Sequence, residues 1–244
     1  MKNYKIIVSY DGTKYSGWQK QGNTDNTIQG KIENILCKMT GDKVEIFGSG
    51  RTDAGAHAKY QVANFKIDTS KNKRQILEYL NEYLPNDIAV NSIEQVDMRF
   101  HSRLNAKTKT YLYRINTTGI PKVFEKNFVF NTKANIDLEK MRQASKQFIG
   151  EHDFQPFCSN KKSKKSTVRK IYSISIIEED GEIKIYIKGN GFLYNMVRII
   201  VGTLFEIGQG KRENNIKQIF EGKDRINAGI TMPSCGLCLI DVEY

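Results

Sequence analysis

The sequence predicts an α+β chain made of two halves that share one β-α-β-β-α-β order. Three observations predict it. Short apolar runs alternate at strand spacing, apolar residues between them recur at helical spacing, and the same succession returns after residue 106. In the first half, residues 4–10 (YKIIVSY) read as a strand. A turn-rich stretch over 11–26 follows. In residues 27–39, Ile28, Ile32, Ile35, Leu36 and Met39 then fall on one helical face, with Asn26 and Gln29 as the expected start signal. Residues 44–48 and 60–67 read as strands. Ile76, Leu77, Leu80, Tyr83 and Leu84 predict a helix over 72–84, stopped at Pro85, and 88–96 reads as the next strand. This is the split βαβ, or ferredoxin-like, unit.

The second half repeats it. Residues 110–115 read as a strand, with 127–130 as a further candidate. A helix over 137–149 carries Leu138, Met141, Phe148 and Ile149 and ends at Gly150. Residues 170–177 and 182–188 form a hairpin around Asp180-Gly181. MVRIIVGTLFEIG predicts a buried helix, 213–221 a short one, and LCLIDVEY a last strand. The expected domains are 1–105 and 106–244, joined side by side into an extended antiparallel or mixed sheet with helices on one face.

The chain has 244 residues, 38 Lys and Arg against 27 Asp and Glu, and a formal charge of +11. Such a balance favours an acidic polymer as partner, nucleic acid before membrane. No apolar stretch approaches the ~20 residues of a membrane span, so a cytoplasmic protein is expected. Four cysteines and three histidines are few. Cys235 and Cys238 form a CxxC without a second pair or a nearby His, so they read as small core residues and no metal is expected. His57, His101 and His152 are assigned no catalytic part.

Residues 48–58, GSGRTDAGAHA, are the least ordinary stretch: nearly all small, with Arg51 and Asp53 at the centre. Arg51-Thr52 replaces the Lys-Ser/Thr of a phosphate loop, and Asp53 stands where a dinucleotide fingerprint needs its last glycine, so both cofactor readings fail. Gly48, Gly50 and Gly55 permit close approach or positive φ, and Ala54, Ala56 and Ala58 are expected to leave a groove. Arg51 beside Asp53 would keep the carboxylate ionised. Such a carboxylate can act as base or nucleophile; the metal role has no second ligand to support it. Separately, NKKSKKSTVRK (160–170) holds six basic residues and no acid, which suits a phosphate-binding arm.

YDGTKYSGWQKQ (10–21), TIQGKIENIL, GSGRTDAGAHA, RFHSR (99–103), KTKTYLYR (107–114), GEHDF (150–154), GFLYNMVRIIVGTL (191–204) and GLCLIDVEY resemble, in order and nearly end to end, the tRNA pseudouridine synthase A family. The resemblance implies isomerisation of uridine at positions 38, 39 and 40 in the anticodon arm of tRNA, by a homodimer that needs no cofactor. It matches Asp53 to the catalytic aspartate and Tyr111 to the tyrosine that stacks on the target base. Arg198 matches the basic residue near the aspartate, and Arg51 the arginine that helps extrude the nucleotide. With these, Arg103 and Lys161, Lys162, Lys164 and Lys165 are expected on the RNA backbone. A non-catalytic RNA-binding pair of ferredoxin-like modules is the competing reading, but no RNP-type aromatic strand is found.

Overall fold

The computed structural model describes residues 1–160 and 166–244. Over these it is an α+β protein with ten strands and five α-helices. Contacts divide it into two units, residues 1–107 with 239–244, and residues 108–238. The expected boundary puts everything after 105 in the second half, whereas the last six residues of the chain return to the first unit.

In the first unit β1 (Lys2–Tyr10), α1 (Ile28–Thr40), β2 (Ile46–Gly48), β3 (His57–Ile67), α2 (Lys73–Tyr83) and β4 (Ile88–Val96) follow the expected order. The central β1 pairs antiparallel with both β3 and β4, and β2 pairs antiparallel with β3. Tyr4, Ile6 and Val8 alternate inward from β1 and are buried with Phe65 of β3, Ile32 and Leu36 of α1, and Ile76 and Leu80 of α2. Lys107 donates its backbone amide to Glu243 O at 2.8 Å, and the Tyr244 hydroxyl donates to Ser102 O at 2.7 Å, which fixes the returning terminus.

Helix α1 starts differently from the expectation. Thr27, not Asn26, is its cap, and the Thr27 hydroxyl accepts the Gly30 amide at 3.2 Å. The Asn26 side chain is already committed to Lys14 O. Gln29 is turned inward, its amide on Glu33 at 2.8 Å. For α2 the start is a full capping box between Asn72 and Gln75.

The second unit contains β5 (Thr108–Asn116), β6 (Phe130–Asn131), α3 (Leu138–Ser145), β7 (Gly150–Asp153), β8 (Val168–Glu179), β9 (Glu182–Gly189), α4 (Met196–Gly208) and α5 (Ile216–Gly222). Strand β10 (Leu237–Glu243) starts in this unit and ends in the first. Strands β5, β9, β8 and β7 lie side by side, all antiparallel, and β6 is a two-residue parallel pairing on β5 rather than a strand over 127–130. Strand β7 has no apolar alternation; it is a charged edge strand held by β8. The predicted helix over 137–149 stops at Ser145 and tightens into a 3₁₀ turn, and Gly150, at φ 111°, opens β7. Cys235 lies in a 3₁₀ turn, and it and Cys238 are half-buried thiols rather than core residues. Among the described residues no helix is long and apolar enough to cross a membrane.

Candidate active site

The β2–β3 connection of the first unit carries Arg51 and Asp53, two residues apart in one turn. Its path is set by what lies beneath it. Ser49 is fully buried; its amide donates to Val62 O at 2.7 Å and its hydroxyl to Gln61 Oε1 at 2.7 Å. Gln61 returns a bond from Nε2 to Gly50 O at 2.9 Å. Further on, the Trp18 amide donates to Thr52 O at 3.2 Å, and the Thr52 hydroxyl meets the Tyr10 hydroxyl at 2.8 Å. The turn closes with the Ala56 amide on Asp53 O at 3.1 Å, and the Gly55 amide reaches Tyr15 O at 3.2 Å. Gly55 is at φ 75°, a left-handed conformation that costs glycine little.

The second layer under the turn is residues 10–18. A Cβ on Gly12 would stand 1.9 Å from Ala56 O, and one on Gly17 2.6 Å from Thr52 O. Gly48 would push a Cβ to 2.4 Å from the Trp18 indole nitrogen. The Gly12 amide donates to Nδ1 of the buried His57 at 3.1 Å. Tyr15, whose carbonyl receives Gly55, is itself tied by its hydroxyl to Asp87; burial and then that carboxylate push its phenol well above the usual range. Gly48 and Gly55 thus serve as expected, by close approach and by positive φ, but the alanines do not together form the expected groove. Gly48 allows an internal contact, and Ala56 and Ala58 are buried, so only the exposed Ala54 leaves open space beside Asp53. Asp53 is half-buried and Arg51 is exposed, its Nε on Gln19 Oε1 at 3.1 Å.

Reading from residue chemistry gave no part to Tyr10, Gly12, Gly17, Trp18, Thr52 or Gln61, which fix the turn, although all but Gln61 lie in stretches that carry the family resemblance. Arg103 lies in the same unit, exposed, its amide on His101 Nδ1 at 3.1 Å.

Tyr111 and Arg198 belong to the second unit. Tyr111 sits on β5 opposite Ile187 of β9 and is 5% exposed. Its ring meets Phe192 edge to face at 5.1 Å between centroids. Phe154 is fully buried. Arg198 is in the first turn of α4, with Nε donating to Met232 O at 2.6 Å and Nη1 to Asn195 Oδ1 at 2.9 Å. Lys161, Lys162, Lys164 and Lys165 lie outside the described residues.

Comparison with known proteins gives one answer along the chain. A family described as tRNA pseudouridine synthase matches residues 6–105 and 144–244. The sequence is 47% identical over 245 residues to the tRNA pseudouridine synthase A of Bacillus sp. (strain KSM-64), covering all of both chains. It is 45% identical over the same length, again covering all of both chains, to tRNA pseudouridine synthase A 2 of Bacillus cereus (strain ZK / E33L). The same identity and coverage hold for tRNA pseudouridine synthase A 2 of Clostridium perfringens (strain 13 / Type A).

Proposed function

Because the chain belongs to the tRNA pseudouridine synthase family, and so is an isomerase that converts uridine in tRNA to pseudouridine, we propose that it acts at positions 38, 39 and 40 of the anticodon arm with Asp53 as its catalytic group. The observation that carries the assignment of Asp53 is the turn around it. Ser49, Gly50, Thr52 and Gly55 are each fixed by hydrogen bonds to buried neighbours and the Ala56 amide closes the turn on Asp53 O, so that Asp53 stands half-exposed between Thr52 and the exposed Ala54. A rigid turn that presents one carboxylate suits a reaction whose first demand is placement.

The isomerisation breaks the N1–C1′ bond, turns the uracil and joins C5 to C1′. No group leaves and nothing is oxidised. An ionised Asp53 opens the bond either by adding to the sugar carbon or by taking a sugar proton to give a glycal. A base within a stem must first be flipped out, at a cost of a few kcal/mol. Arg51 supports the extruded nucleotide, and Tyr111 offers a ring face to the base, worth about 1–3 kcal/mol by stacking. Arg198 supplies a second cation at the substrate. Arg103 and the basic run Lys161, Lys162, Lys164 and Lys165 bind phosphates, a sequence-independent and salt-sensitive contribution. In this reading the active form is a cytoplasmic homodimer.

The test is Asp53→Asn on tRNA transcripts that retain uridine at only one of positions 38, 39 or 40. The unsubstituted protein should form pseudouridine at each, and the variant at none while still binding tRNA. Asparagine can make the same local turn as aspartate, so an active variant would show that Asp53 only shapes the loop. Product at other positions alone would overturn the anticodon assignment and leave Asp53 standing.

A further inference from the structure

Asn195 immediately precedes α4, where an asparagine side chain ordinarily accepts a bond from the first free helix amides. Here it makes no capping bond, and its backbone is left-handed at φ 62°, ψ 6°. Its side chain is spent elsewhere. Oδ1 accepts from Arg198 Nη1 at 2.9 Å, and Nδ2 donates to the Ser159 hydroxyl at 3.0 Å. A side-chain amide has one acceptor end and one donor end. With the donor end committed to Ser159, the oxygen must face the guanidinium. Ser159 is held in turn by its own amide on Tyr194 O at 3.1 Å.

Arg198 has a physical need for such a partner. It lies in the first turn of α4, at the positive end of the helix dipole, where a cation is disfavoured. Nε on Met232 O and Nη1 on Asn195 Oδ1 engage two donors of a planar fork, and two such bonds set its plane. The Met232 carbonyl is fixed from its other side, since the Met232 amide donates to Arg198 O at 3.3 Å. The Asn195 carbonyl still begins the helix by accepting the Ile199 amide at 3.0 Å. Only the side chain has been diverted.

We propose that Asn195 is a positioning residue for the isomerisation: it gives up capping α4 in order to orient the Arg198 guanidinium, and Ser159 holds its amide the right way round. The proposal rests on the reading of Arg198 as a substrate-binding group.

The test compares Asn195→Gly, Asn195→Asp, Arg198→Lys and the double variant Asn195→Gly/Arg198→Lys, by kcat and KM on tRNA and by thermal midpoint. Glycine takes the left-handed backbone without strain and removes only the side chain. Its midpoint should not fall, its kcat should drop roughly tenfold to a hundredfold, as misplacement of a reacting group does, and its KM should stay within about twofold. Aspartate keeps an oxygen for Arg198 and loses the donor to Ser159, so it should recover most of the lost kcat. The double variant should be no slower than Arg198→Lys alone. Wild-type kcat in Asn195→Gly beside an impaired Arg198→Lys overturns this proposal and leaves the Arg198 assignment intact. Wild-type kcat in Arg198→Lys shows that the guanidinium plane does not matter, which overturns this proposal and leaves Arg198 as a cation at the substrate. Multiplied losses in the double variant would show that Asn195 acts by another route.

Discussion

Two loops of this molecule are fixed by different means. The turn over residues 49–56 is held mainly by hydrogen bonds among neutral groups, with the Arg51 bond to Gln19 and the Asp11 carboxylate against His57 as charged additions, and by glycines that let two stretches of backbone touch. The segment over 117–128 in the second unit adds charged pairs to neutral turn bonds such as Asn116 Nδ2 on Ile120 O and the Thr117 amide on Gly181 O. Arg114 donates from Nε and Nη2 to the buried Glu182 carboxylate at 2.8 and 2.7 Å, Lys122 adds a third bond to Glu182, and Glu125 pairs with Arg114. That segment displays Phe124 almost fully, and Ile120 and Val123 largely, to solvent. The difference teaches what each loop tolerates. Contact fixing has no slack, because a backbone atom cannot move aside for a methyl group. Charge fixing is adaptable at the surface, where Glu125 and Lys122 can find other partners, but it is strict at the single carboxylate that both cations share.

Gly12→Ala should break the comparison most severely. The new Cβ would stand 1.9 Å from Ala56 O and 2.7 Å from Ala56 C, both backbone atoms. Relief requires moving the turn that carries Asp53. Overpacking of this kind costs about 1–3 kcal/mol, and since the movement falls on the turn itself, turnover should drop by about a hundredfold or more. Thermal unfolding and a single-turnover assay would check both. Turnover near wild type would mean that the 10–18 layer does not set the position of Asp53.

The same contrast explains what could be read from the sequence. Strands β1, β4 and β9 and helices α1 and α2 were legible because each buries one face, and that periodicity is written in the residues; α4, buried nearly all round, was legible as an unbroken apolar run. Strand β7 was not: Gly150, Glu151, His152 and Asp153 show no alternation, and they pair only because β8 offers an edge. The Asp53 turn was legible as an unusual motif whose glycines allow close approach, but its alanines were assigned to a groove and the partner of the close approach was not named. That partner, Trp18, lies thirty residues before Gly48 in the chain, and local pattern carries no record of such a contact. Asn195 was likewise hidden, since an asparagine before a helix reads as a cap.

Glu182→Gln tests the charge-fixed loop. The amide can still accept one bond, but two cations lose their shared counter-charge. Loss of a fully buried pair costs about 3–5 kcal/mol; Arg114 and Lys122 are part-exposed, so about 2 kcal/mol is expected here. Turnover at saturating tRNA should largely survive. The pH dependence has a fixed sign. Burial alone would raise the Glu182 carboxyl, but the bonds from Arg114 and Lys122 outweigh it and hold the native pKa below the ordinary value. Its stabilisation is therefore fully present above the ordinary carboxylate range and is lost as pH falls through the lowered native pKa. Urea unfolding across acid pH should show the wild-type and Glu182→Gln curves converging as pH falls. Parallel curves would mean that Glu182 contributes only packing.

The finest distinction concerns the hydroxyl pair beneath Asp53. Tyr10 and Thr52 are both buried, and their hydroxyls meet at 2.8 Å. Tyr10→Phe removes one member and leaves the buried Thr52 hydroxyl without this partner, which should cost about 1–2 kcal/mol. The backbone bond from Trp18 to Thr52 O remains, so the turn should keep its path and turnover should fall only a few-fold. Adding Thr52→Val removes the stranded hydroxyl while keeping the branched shape, and a pair deleted from both sides can be nearly neutral. The double variant should therefore be more stable than Tyr10→Phe alone. Turnover separates the two possible services of the pair. If it only satisfies buried polar groups, the double variant regains rate along with stability. If it steers Thr52, and with it the adjoining Asp53, stability returns and the rate does not. A double variant less stable than either single one would show that this turn is not held by the neutral contacts described here.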